Sequence, residues 1–69
     1  MEFDYRKLAG KIKEVYGTEK DFANALGISR VNFSLKMNNK VKFSQEEMLK
    51  AKELLDLSNL DEYFFRPKS

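Results

Sequence analysis

The side chains most open to chemistry are the lysines and arginines, and they are unevenly spread. From Phe22 to Gln45 there is no aspartate or glutamate, while Arg30, Lys36, Lys40 and Lys42 fall inside that window. Residues 1–43 carry nine Lys/Arg against five Asp/Glu, and residues 44–69 carry four against six, so a net charge of +2 hides a basic middle. Such a window suits an anionic partner. Other chemistry is poorly supplied. With no cysteine and no histidine, thiol redox motifs, iron–sulfur sites, zinc fingers and any histidine triad are excluded within this chain. Glu46 and Glu47 are adjacent carboxylates, but helix neighbours diverge by about 100° and cannot share a substrate atom. Stabilising a helix N-terminus suits them better. No Gly-rich phosphate loop is present. The reading is a chain without catalysis, cofactor or metal.

The elements that position these residues are helices. At 69 residues and 8.1 kDa the chain makes one domain, residues 1–69, with a thin core. Leu8, Ile12, Val15 and Tyr16 recur at helical spacing across residues 4–16, and Gly17 suits a left-handed stop. Gly10 inside that segment suggests a close packing neighbour. Thr18, with Asp21 three residues on, opens a second helix carrying Phe22, Ala23, Ala25 and Leu26. Ser29 caps a third, Arg30 to Met37, and Asn38-Asn39-Lys40 is a polar stop where Asn accepts positive φ. Val41 and Phe43 are expected to plug the core from the following loop. Ser44 and Glu47 form a capping box for a fourth helix, and Ser58 and Asp61 repeat the signal before a short last turn and tail, about 58–69. No strand-like alternation appears, so the fold class is all-α with five short helices. No apolar run reaches the ~20 residues of a membrane span, and no signal peptide opens the chain. A cytoplasmic location and no membrane partner are expected.

The tightest constraint lies at about 18–38. Ala23 is small where the next helix crosses over it, Gly27 supplies positive φ, Ile28 tucks into the corner, and Phe33 packs back. These four positions are filled as a helix-turn-helix requires.

Residues 18–40, TEKDFANALGISRVNFSLKMNNK, resemble the helix-turn-helix of lambdoid phage Cro and repressor proteins. From FDYRKLAGKIKE to EYFF, nearly the whole chain is similar to short phage-encoded Cro/cI-type regulators. The resemblance implies a compact five-helix lambda repressor-like DNA-binding domain in a bacterial host cell. It would act as a Cro-like phage or prophage repressor, binding a palindromic double-stranded DNA operator as a homodimer through its third helix. Base contacts carried over by position fall at Arg30, Val31, Asn32, Ser34 and Leu35. Phosphate contacts fall at Thr18, Lys20, Ser29, Asn38, Asn39 and Lys40. Glu19 departs from that pattern, because a carboxylate near phosphate repels.

Val31 and Leu35 are the second departure. With Phe33 inward they face away from the core, where apolar side chains read only thymine methyls; a rotated register puts them in the core instead. Their presence on an outward face favours another function, a protein-interaction module such as an antirepressor or adaptor on the same helical fold. Tyr63, Phe64 and Phe65 either close the monomer core or form a dimer seam, and three consecutive aromatics cannot all point one way.

Overall fold

In the computed structural model, residues 2–68 are described. Five helices follow in order: α1 (Arg6–Tyr16), α2 (Glu19–Leu26), α3 (Arg30–Met37), α4 (Gln45–Leu55) and α5 (Asp61–Phe64). The chain is a small all-helical domain of about 28 × 26 × 21 Å, with no strand among the described residues beyond one antiparallel bridge between Phe3 and Pro67.

Each helix starts where a side chain satisfies its free amides. Thr18 accepts from the N–H of Asp21, Ser29 from Asn32, and Ser44 from Glu47, whose carboxylate in turn accepts from the Ser44 N–H. Two starts differ from the sequence reading. α1 begins at Arg6 rather than residue 4, because the Asp4 carboxylate accepts from the Arg6 N–H and grips its guanidinium at 2.7 Å. Those hydrogen bonds hold the Asp4 carboxyl down at about 2. At α5, Asn59 rather than Ser58 reaches the Glu62 N–H, so the repeated Ser-x-x-Asp signal is not the one used.

The core is built from Leu8 and Ile12 of α1, Phe22, Ala23 and Leu26 of α2, Phe33 of α3, Ala51 and Leu55 of α4, then Leu57 and Phe64. α1 packs on α2, α4 and α5, while α2 packs on α3 and α4. Phe43 joins this core as expected, edge-on to Tyr5, Phe33 and Phe64 at 5.4, 6.2 and 5.1 Å. Val41 does not plug the core: it is 41% exposed. Gly10 has no packing neighbour within 4 Å of a would-be Cβ, so close approach does not explain it. The C-terminal aromatics divide. Phe64 is buried, Tyr63 is half-buried beneath Lys7, and Phe65 stacks edge-on to Phe3 at 5.8 Å while remaining partly exposed.

Candidate functional site

The corner between α2 and α3 is set by backbone geometry. Gly27 takes φ +87°, and its N–H reaches the carbonyls of Ala23 and Asn24. The Ile28 N–H also donates to the Ala23 carbonyl, at 3.1 Å. Ala23 is fully buried, which lets the helices close on each other. Phe33 then anchors α3, stacking edge-on to Phe22 at 5.6 Å.

With Phe33 inward, Arg30, Val31, Asn32, Ser34 and Leu35 all stand in solvent. The alternative register, with Val31 and Leu35 in the core, is not the one adopted. Val31 is 73% exposed and Leu35 41%. The chain then wraps back over the end of the helix: the N–H groups of Lys40 and Val41 both donate to the Leu35 carbonyl, at 2.8 and 3.3 Å. Val31 and Leu35 share the outward side of α3 at i, i+4 spacing, whereas Val41 and Lys42 line a small cleft with Phe3, Tyr5, Phe43, Phe64 and Phe65.

The other residues singled out in the sequence are placed as follows. Thr18 and Ser29 spend their hydroxyl oxygens as caps, and Lys20 is exposed at the start of α2. The Asn38 side chain donates back to the Ser34 carbonyl at 2.9 Å and closes the end of α3. Asn39 has positive φ, +62°, as expected of that stop. Its side chain does not face the α3 surface. It accepts from the Phe3 N–H at 2.9 Å and donates to the Phe3 carbonyl at 3.0 Å, so both its polar atoms are engaged by the N-terminal segment.

Two features escaped the sequence reading. One is that tie between Asn39 and Phe3. The other is Lys36, which is 5% exposed and ion-paired with Glu47 of α4. Burial pushes the Glu47 carboxyl up, but hydrogen bonds from Lys36 and the Ser44 backbone outweigh it and hold it below its ordinary value. The Lys36 ammonium also sits 5.9 Å from the centre of the Phe43 ring. No local pattern announces either contact, since the partners lie 11 and 36 residues away.

On the other flank of α3 a cleft of about 630 Å³ is lined by Arg6, Glu19, Ser34, Met37, Asn38 and Lys68, among others. Its walls mix both charges, and Asp4 beside it is already held by Arg6. The outward surface of α3 is the more distinctive site.

A search among curated proteins finds no match. Among solved structures, the chain is similar to the modulator of repression (MOR) of the temperate bacteriophage TP901-1 from Lactococcus lactis. The two share 46% identity with a TM-score of 0.78, over 94% of this chain and 90% of that one. A modulator of repression is not a Cro/cI repressor, so the Cro/cI-type resemblance is corrected. Operator binding as the main function is corrected with it, and the base and phosphate roles inferred from that resemblance lose their basis. The physical reason is that Ala23, Gly27, Ile28 and Phe33 specify how two helices pack, not what the outward face of the second one binds. Over residues 1–67 the chain matches, and belongs to, the family described as "Protein of unknown function (DUF739)".

Proposed function

We propose that this chain is a non-enzymatic regulator of repression in a phage or prophage, acting by contact with a repressor protein rather than by reading an operator itself. The observation that carries this reading is the similarity to the phage modulator of repression, 46% identical across nearly the full length of both chains. The surface supports it. A helix-turn-helix scaffold presents Val31 and Leu35 to solvent, where aliphatic side chains can read only thymine methyls among the bases but suit an apolar contact with another protein.

The test uses the repressor encoded by the same phage or prophage. Mixed with it, the chain should elute as a complex and change the repressor's occupancy of its operator. Alone, it should show no sequence preference for that operator DNA. Two salt concentrations separate the modes further, because binding through several phosphates weakens steeply with salt and an apolar protein interface does not. Absence of both a complex and any change in operator occupancy would falsify the reading.

A further inference from the structure

We infer that residues 2–4, residues 66–68 and the Asn39 side chain form a clasp that opens and closes as one unit while the five helices stay folded. Closed, it divides one groove into two clefts. The device belongs to the folded chain by itself and needs no partner.

Its geometry is that of a very short sheet. In an extended segment, successive peptide groups point to opposite sides. The Glu2 carbonyl and the Asp4 N–H point one way, the first accepting from the Lys68 N–H at 3.2 Å and the second donating to the Arg66 carbonyl at 2.7 Å. The Phe3 N–H and carbonyl point the other way and meet the Asn39 side chain, at 2.9 and 3.0 Å. One side-chain amide thus stands where a third strand would pair. Pro67 lies opposite Phe3 in the antiparallel bridge, and residues 66 and 68 supply the bonds, so its missing N–H leaves no gap in the pairing. Residues 2–4 are held from both sides. The same three residues must stay extended for both sets of bonds, so losing one set loosens the other.

What holds the clasp is separate from what holds the helices. None of residues 2–4 and 66–68 belongs to the buried core. Glu2, Arg66, Pro67 and Lys68 are exposed, and Phe3 is half-buried. The Glu2–Lys68 ion pair, at 3.6 Å with both side chains in solvent, adds little. The Phe3 ring contributes its edge-on stack on Phe65 at 5.8 Å. A segment with few buried apolar contacts and hydrogen bonds near the surface opens at a lower free energy than the core.

Opening matters because of what lies behind the clasp. Phe3, Tyr5 and Asn39 line both the cleft of about 630 Å³ beside α3 and a smaller one of about 160 Å³, walled by Phe43, Met48, Phe64 and Phe65. Phe3 is part of the partition. When it swings away the two spaces join, and the rings of Tyr5, Phe43 and Phe64, packed edge-on around Phe43 at 5.4 and 5.1 Å, become accessible from one groove.

The test is native-state hydrogen exchange, followed by NMR on the full chain and two variants. In the wild type the amides of Phe3, Asp4 and Lys68 should be protected, yet exchange at least about tenfold faster than those of Ala51 and Leu55 within α4. Asn39→Gly keeps the positive φ and removes only the side-chain bonds to Phe3. It should still speed exchange at Asp4 and Lys68, and not only at Phe3, by about fivefold. Ile12→Val trims a fully buried residue of α1 and should speed exchange at Ala51 and Leu55 by about two- to tenfold. The three clasp amides should stay within about twofold of the wild type in that variant. Equal acceleration of clasp and α4 amides by Ile12→Val would mean that these segments release only with the whole fold. Acceleration confined to Phe3 in Asn39→Gly would mean two independent ties, and no protection at the three amides would mean that the clasp does not form. Each of these results overturns the inference.

Discussion

Helices α1 and α3 sort their side chains in opposite ways. In α1, Leu8 and Ile12 are fully buried while Lys7, Lys13 and Glu14 stand in solvent, with Val15 the single aliphatic residue exposed beside them. In α3, Phe33 is buried beside Lys36, while Val31 and Leu35 stand in solvent. The first arrangement follows from the cost of exposing apolar surface and needs no partner. The second puts a charge inside and aliphatic groups outside, and each half of that inversion needs its own explanation. Glu47 explains the first half, because a buried charge is tolerable when paired and hydrogen-bonded. Among the described residues nothing covers the second, and Val31 and Leu35 stand together on one face where α1 exposes the single Val15, which is why the outward side of α3 is the candidate interface.

The contrast can be broken from its strongest side. Leu8→Ala on the inner face of α1 should cost about 2–5 kcal/mol, enough to unfold much of so small a domain at room temperature. Circular dichroism melts would show it, and a mild effect would mean that α1 is not the framework it is taken to be.

Next comes the buried charge. Lys36→Met keeps the side-chain bulk but leaves the mostly buried Glu47 unpaired, at a cost of about 2–3 kcal/mol near pH 7. The pH dependence identifies the cause. The folded-state Glu47 carboxyl is held below its ordinary value, so its contribution is fully present above the carboxylate range and is lost as pH falls through the folded value. In the variant that benefit is gone from the start. The stability gap between the two proteins should therefore narrow on acidification, and a gap constant from pH 7 to pH 3 would show that packing against Phe43, not charge pairing, sets the effect.

A smaller change probes how the end of α3 is held. Asn39→Gly keeps the positive φ at no steric cost and removes both hydrogen bonds to Phe3. The loss should be about 1 kcal/mol, a fall in melting temperature of roughly 4–8 °C. An unchanged melt would make the tie incidental.

The smallest effect completes the comparison. Leu35→Ala should shift stability by less than about 0.5 kcal/mol, against the large loss at Leu8 for the same chemical change. Chemical denaturation of the two variants side by side measures that ratio directly. Similar losses would place Leu35 in a packed environment and remove the basis for an outward-facing site on α3.

What was legible in the sequence was local. The caps at Thr18, Ser29 and Ser44, the stop at Gly27 and the inward placement of Phe33 all depend on residues within a few positions of each other, so pattern and propensity identify them. Gly10 and Ser58 show the limit of that approach: each carried a plausible local signal that the packed structure does not use. Lys36 and Asn39 read as polar surface residues because Glu47 and Phe3 meet them only after the chain has folded back. The site was half legible. Its outward orientation followed from Phe33, but its chemistry was obscured by a motif that specifies a scaffold and not a ligand.

The tie at Asn39 has a consequence for the order in which the molecule is completed. Phe3 meets not only Asn39 but also the opposite end of the sequence, through the bridge to Pro67 and the hydrogen bond from the Asp4 N–H to the Arg66 carbonyl at 2.7 Å. Joining regions so far apart along the chain carries about 1–2 kcal/mol more loop-closure entropy than forming the α2–α3 corner. Contacts among neighbouring helices therefore form first, and the ends meet last. During synthesis the α2–α3 corner can exist while the tail is still unmade, but the clasp of Phe3 between the tail and the end of α3 cannot. The finished form of that surface belongs to the completed chain.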